Sequence, residues 1–371
     1  MTPAPRPSAT GPHRSTNRPR RSTAGASHGA AAPTPTGAAA PTLTSAGGPA
    51  GRVPIGSGSG SSDESSSAGT NGTAGARRIA AAFARALADG RAALIPYVVA
   101  GYPDHGTSLA AAIAAADAGA DLLEIGLPYS DPLADGATLQ RATSAALRAG
   151  ATLDGSVALL REVSSARPSL PLVPMCYANQ IMGGGDGRVV ATRLAEAGAS
   201  GVIVADLTPD EGLRFEAVAR EVGLAVIYLI APTSTTARRA EVAGRSGGFL
   251  YCVSLVGVTG ARTSLPPSVS GLVAAARADS PVPVAVGFGV SSPAHVRMLV
   301  EAGADGVIVA SALVDAMGPD GRDTAALGRL VGELRAATVR GGVAAGSSRC
   351  PAAPPHDRRA AAQAPGRRAT A

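Results

Sequence analysis

The sequence predicts an α/β fold, a (β/α)8 or TIM barrel with an extra N-terminal helix and a disordered tail at each end, and three observations carry that expectation. Eight short apolar runs alternate with longer amphipathic stretches across residues 76–342, the rhythm of strands buried on both faces by the helices between them. Three helical stretches close on one device, Asp117-Ala118-Gly119-Ala120-Asp121, Glu196-Ala197-Gly198-Ala199-Ser200 and Glu301-Ala302-Gly303-Ala304-Asp305, in which glycine supplies the left-handed stop that turns a helix back into a strand. Outside those limits, residues 1–75 and 343–371 are Ala, Gly, Ser, Thr and Pro with hardly a large apolar side chain, too little to offset the entropy of ordering. The expected organisation is a disordered low-complexity extension over 1–75, a catalytic barrel over 76–342 and a disordered basic tail over 343–371. A doubly wound open sheet would share the rhythm, and in either architecture ligands gather at the carboxyl ends of the strands.

The first element is a helix over Arg77 to Ala88, with Ile79, Phe83 and Leu87 on one face and Gly90 as its stop. The eight strands follow as Ala93–Ala100, Asp121–Leu127, Pro171–Ala178, Gly201–Asp206, Ala225–Ile230, Phe249–Ser254, Val282–Phe288 and Gly306–Val309. Seven helical segments separate them and another follows the last strand.

Charge and residue usage exclude several function classes. Residues 1–75 carry six Arg against two acids and residues 343–371 five Arg against one, which leaves the barrel slightly acidic within a chain of net charge +6. The basic balance belongs to the tails and gives no reason to expect a nucleic-acid groove on the folded domain. No apolar run follows Arg20-Arg21, and no stretch of about 20 apolar residues escapes a charge or a Gly/Pro break, so neither an export signal nor a membrane span is expected. Every basic residue among the 33 Lys and Arg positions is Arg, which removes Schiff-base and P-loop chemistry. Cys176, Cys252 and Cys350 lack metal-ligand spacing and read as reduced thiols of a cytoplasmic protein. His105 and His295 lie at helix starts and His13, His28 and His356 in the tails, so neither a histidine metal site nor a His-based triad is expected.

What remains at the strand ends is a pair of carboxylates. Glu124 interrupts the apolar run Leu122-Leu123-Glu124-Ile125 and must be paired, protonated or turned toward a polar cavity, because unpaired burial costs several kcal/mol. Burial that disfavours its charged form would bring it toward neutral pH for acid/base work. Asp135 lies in the following Gly/Pro-punctuated loop, which reads as looser and should leave it ionised. An interior Arg partner for Glu124 and a mere turn at Asp135 are the plainer alternative. A second constellation is GFGVSSP, Gly287 to Pro293, with VIVAS, Val307 to Ser311; small residues there open helices after the last two strands, where barrels of this kind hold phosphate on backbone N–H groups. The third, SLVGVTGARTSLP from Ser254 to Pro266, has the length and glycine punctuation of a lid, or of a passive surface loop. Tyr97, Tyr251 and Phe288, in a chain only 3% aromatic, fall at strand ends where they can wall an apolar pocket or fill ordinary core.

These residues closely resemble the alpha chain family of tryptophan synthase. The likeness runs from LIPYVVAGYPD through EIGLPYSDPLADGATLQ, MCYAN, VADL, GVTGAR and GFGVSS, nearly all of residues 76–342. It implies a lyase that splits indole-3-glycerol phosphate by retro-aldol cleavage into indole and glyceraldehyde 3-phosphate in tryptophan biosynthesis, with no metal or organic cofactor. Glu124 would be the acid/base, and Asp135 would bind the indole N–H and stabilise the indolenine cation. Tyr251 would pack beside Glu124, with Tyr97, Leu139, Tyr177 and Phe288 around the indole. Thr259 would bond Asp135 on lid closure, and Gly260, Gly289, Ala310 and Ser311 would hold the phosphate.

The resemblance also implies a partner, a pyridoxal-phosphate-dependent beta chain in an alpha2-beta2 heterotetramer, with Tyr177, Asn179 and the Asp131 region near the contact. Ala137, Ala310 and Leu255 depart from the family pattern, which commonly has Pro, Gly and a polar residue there; the Ala310 methyl would narrow the phosphate pocket. Other phosphate-binding barrels rely on a catalytic lysine or on strand-end histidines, which this chain lacks, and an idle activating subunit would not require the carboxylate pair.

Overall fold

In the computed structural model, the described residues are 70–341 except 184, 254–267 and 288; the expectations for both tails and for Leu255, Thr259, Gly260 and Phe288 lie outside them. Among the described residues, nine parallel strands form one sheet: β1 (Ala93–Val99), β2 (Leu123–Gly126), β3 (Leu172–Cys176), β4 (Gly201–Val204), β5 (Ala225–Ile227), β6 (Leu229–Ile230), β7 (Leu250–Val253), β8 (Val284–Gly287) and β9 (Gly306–Val309). Their order, β5-β4-β3-β2-β1-β9-β8-β7-β6, is that of a ring, because β5 and β6 are consecutive pieces of the fifth expected strand, interrupted at Tyr228. The run Ala225–Ile230 gives no sign of that break. Tyr228 turns its N–H to the Ser246 hydroxyl at 3.1 Å, and its own hydroxyl reaches Glu216, which Arg245 also holds at 2.6 Å. The side chain is thereby drawn outward and the ladder skips a residue. The ring therefore closes through this strand, whose pieces pair with β4 on one side and β7 on the other, Tyr251 donating its N–H to the Tyr228 carbonyl at 3.0 Å.

Among the described residues, twelve helices surround the sheet: α1 (Ala74–Ala88), α2 (His105–Asp117), α3 (Ala137–Arg148), α4 (Leu153–Ala166), α5 (Ala178–Met182), α6 (Arg188–Glu196), α7 (Pro209–Glu221), α8 (Thr236–Arg245), α9 (Ser268–Asp279), α10 (Pro293–Glu301), α11 (Ser311–Ala316) and α12 (Thr324–Ala336). Three segments expected as single helices are pairs. Between α3 and α4, for example, Gly150 takes φ 92° and Thr152 caps the restart by accepting the Gly155 N–H at 3.1 Å. The repeated helix stops take the conformation expected of them, with φ 103°, 96° and 96° at Gly119, Gly198 and Gly303. The acids that end two of these devices have a further use. Asp121 accepts the Leu94 N–H at 2.8 Å and two bonds from Arg91, and Asp305 accepts the Val284 N–H at 3.0 Å, so each ties the start of a neighbouring strand.

Alternation along the strands creates two cores. Leu94, Val98, Leu123, Ile125, Val202 and Val286 pack outward under the helices, while Ile95, Tyr97, Val173, Ile203, Ile227, Tyr251 and Ile308 fill the barrel. Ile79 and Phe83 of α1 join the inner cluster, so the extra N-terminal helix supports the barrel from beneath. A 3-10 turn, Thr70–Gly72, precedes α1 within the stretch assigned from sequence to the N-terminal extension. Thr70 is buried and accepts the Val226 N–H at 2.7 Å, and Asn71 accepts the Gly248 N–H at 3.3 Å.

Candidate active site

Glu124 lies on β2 between Leu123 and Ile125, both of which face the outer core, so strand alternation aims its carboxylate inward. It stands in register with Tyr97 on β1 and Val173 on β3. Only 1% of it is exposed, and its Oε2 has no hydrogen-bond partner among the described residues. Burial, with the Asp135 charge adding to it, pushes its pKa up to about 8. Among the described residues it has no arginine partner, so the plainer alternative of an interior ion pair finds no support there.

Asp135 departs from the loose, solvated loop that its sequence suggests. It is 9% exposed, and burial raises its pKa to about 6. The cause lies on the neighbouring strand. Tyr177, following β3, accepts the Ala134 N–H on its hydroxyl at 3.0 Å and stacks on Tyr129 with centroids 5.0 Å apart. Gln180 takes the Tyr177 N–H on Oε1 and donates to the Pro128 carbonyl at 2.9 Å, while Gln140 on α3 donates to the Asp135 carbonyl at 3.0 Å. The loop is thus pinned from both sides with its carboxylate turned in. With these shifts the pair holds about one proton between its two carboxylates near neutral pH.

Two phenols flank the carboxylates. Tyr97 and Tyr251 are 4% and 5% exposed; burial raises the pKa of each well above the usual value, and the charges of Asp135 and Glu124 raise both further. Their seats are glycines that sequence reasoning missed. A methyl on Gly126 would overlap the Tyr97 hydroxyl, and one on Gly287 would overlap that of Tyr251; a glycine inside a strand run was the signal. Leu139 of α3 and Met175 of β3, the latter also unforeseen, join the same inner cluster.

At the carboxyl ends of the adjacent strands β8 and β9 lie the remaining candidates. Gly289 takes φ 74° in an exposed turn before α10, Ala310 is the N-cap of α11, and Ser311, half-buried, opens that helix. Thr259, Gly260 and Phe288 are outside the described residues. Among those residues, no His/Cys/Asp/Glu group could hold a metal ion, and no helix is long and apolar enough to cross a membrane.

With this geometry in view, comparison with known proteins gives a consistent result. The family model described as tryptophan synthase alpha chain matches residues 83–336. The tryptophan synthase alpha chain of Roseiflexus castenholzii is 46% identical over 240 residues, covering 64% of this chain and 90% of that one. That of Leifsonia xyli is 44% identical over 264 residues, 71% and 99% respectively. Among solved structures, tryptophan synthase of Mycobacterium tuberculosis superposes with a TM-score of 0.66 at 41% identity, covering 71% of this chain and 99% of that one. The alpha subunit from Legionella pneumophila gives 0.64 at 32% identity, with coverage of 70% and 98%.

Proposed function

The chain belongs to the tryptophan synthase alpha chain family, a lyase family, and we propose that its Glu124–Asp135 pair performs the proton transfers of the alpha reaction. That reaction cleaves indole-3-glycerol phosphate to indole and glyceraldehyde 3-phosphate in tryptophan biosynthesis. The observation that carries the residue assignment is an unpaired, buried Glu124 with its pKa at about 8 beside an Asp135 at about 6.

Protonated Glu124 gives its proton to the ring carbon that bears the glycerol side chain, leaving an indolenine cation whose N–H Asp135 holds. The Glu124 carboxylate then takes the proton of the adjacent side-chain hydroxyl. As the aldehyde forms, the carbon–carbon bond breaks and its electrons return to the ring. The hydroxyl proton thus replaces the one given to carbon, and Glu124 ends as it began. Only protons and one carbon–carbon bond move, so the carboxylates suffice without a cofactor on this chain. Burial, which raises the pKa of Glu124, also makes it a better base once it has given up its proton.

Tyr97, Leu139, Tyr177 and Phe288 would enclose the indole, with Tyr251 beside Glu124. Thr259 would reach Asp135 when the lid closes, and Gly260, Gly289, Ala310 and Ser311 would bind the phosphate. The family implies a beta chain as partner. We assign it the pyridoxal phosphate, an alpha2-beta2 assembly and a contact near Asp131, Tyr177 and Asn179, where Leu133 is 90% exposed. The buried free thiols Cys176 and Cys252 fit a cytoplasmic setting. The deciding assay incubates the purified chain with indole-3-glycerol phosphate, with and without a cognate beta chain, and follows indole. Release under either condition supports a catalytic subunit; stimulation of the beta chain with no indole release would leave only an activating one.

A further inference from the structure

Of the two histidines among the described residues, His105 is exposed and pairs with Glu162, whereas His295 is 3% exposed. His295 is the third residue of α10, and the N-cap Ser292 accepts its N–H at 3.3 Å. The imidazole reaches back in turn: Nδ1 accepts the Ser291 N–H at 3.3 Å and lies 3.4 Å from the Ser291 hydroxyl. In a capping box, a Glu or Gln at this third position reaches back to the N–H of the N-cap itself. Here the reach extends one residue further, into the turn that carries Gly289 at φ 74°.

We propose that His295 is a positioning residue for the phosphate end of the site: through Ser291 it fixes the Gly289 turn, so that the turn is ordered before substrate arrives. This rests on the reading of Gly289, Ala310 and Ser311 as the phosphate cradle. Two physical arguments favour an imidazole for the task. A Glu carboxylate at this position would set a negative charge toward the phosphate end, whereas an imidazole accepting the Ser291 N–H on Nδ1 makes the same bond without a carboxylate. The bond also satisfies the Ser291 N–H within the protein, so the turn does not depend on a ligand for it. Ordering that is already complete in the free protein need not be met from binding energy.

The test is phosphate affinity of the full chain, measured by calorimetry with glyceraldehyde 3-phosphate and, separately, with inorganic phosphate. His295→Leu removes the acceptor, and His295→Asn keeps one, because Asn Oδ1 falls near the place of Nδ1. With Leu, the dissociation constants and KM should rise about tenfold, the scale of one lost bond, while kcat at saturation stays within about twofold; Asn should restore near-parental values. Unchanged affinity in His295→Leu would overturn the proposal, as would equal loss in both variants accompanied by a matching fall in Tm. Ser311→Ala and Gly289→Asp report on the cradle itself: if neither weakens phosphate binding, the cradle reading fails and the His295 role falls with it.

Discussion

Glu124 is stored in a state that costs the fold stability. Its pKa in the folded chain, about 8, lies above that of an unfolded glutamate, so between roughly pH 4.5 and pH 8 the native state binds the more protons and stability falls as pH rises. Glu124→Gln removes that penalty. Turnover should drop by orders of magnitude, while the Tm advantage of the variant over the parent grows from pH 5 to pH 8.5; an advantage that does not grow with pH would contradict the burial of an ionisable group. The same two carboxylates set the pH optimum. Activity needs Asp135 ionised and Glu124 protonated, so kcat/KM should trace a bell with limbs near pH 6 and pH 8. A profile flat from pH 5 to 9 would remove both from the rate-limiting proton transfers. Glu124 was legible in the sequence because a charge in an apolar strand has few explanations. The burial of Asp135 was not, since it depends on Tyr177 and Tyr129 meeting across different loops.

At the scale of strands and helices, the eight apolar runs were legible because a parallel strand is covered on both faces. The break at Tyr228 was hidden, because its causes, Ser246, Glu216 and Arg245, lie 12 to 18 residues away along the chain. Helix pairs were merged where amphipathic periodicity continued past a stop such as Gly150. The glycine seats under the tyrosines belong to this scale as well, because each joins two neighbouring strands. Gly126→Ala places a methyl where the Tyr97 ring now lies, and the ring must leave. Overpacking of this kind costs about 1–3 kcal/mol, and the displaced Tyr97 should lower kcat/KM at least tenfold. A crystal structure of the variant with Tyr97 unmoved and full activity would show that the seat is not required.

For the molecule as a whole, the N-terminal boundary matters more than composition suggested. Thr70, Asn71 and Gly75 bond to Val226, Gly248 and Gly223, so this short segment grips the barrel floor on both sides of the interrupted fifth strand. Removing residues 1–69 should leave Tm and indole release unchanged. Removing residues 1–75 deletes these bonds and the Thr73 cap of α1, a loss of roughly 2–4 kcal/mol, or on the order of 5–10 °C. Equal Tm values for the two truncations would show that the segment is dispensable. Because the fifth strand is broken at Tyr228 into pieces of 3 and 2 residues, that junction is where warming should first loosen the sheet. Tyr251 hangs from the Tyr228 carbonyl, so the earliest casualty of heat would be the pocket wall. Enzymatic inactivation should then run several degrees ahead of the loss of circular dichroism, and amides around Tyr228 should exchange hydrogen before those of β1 or β9.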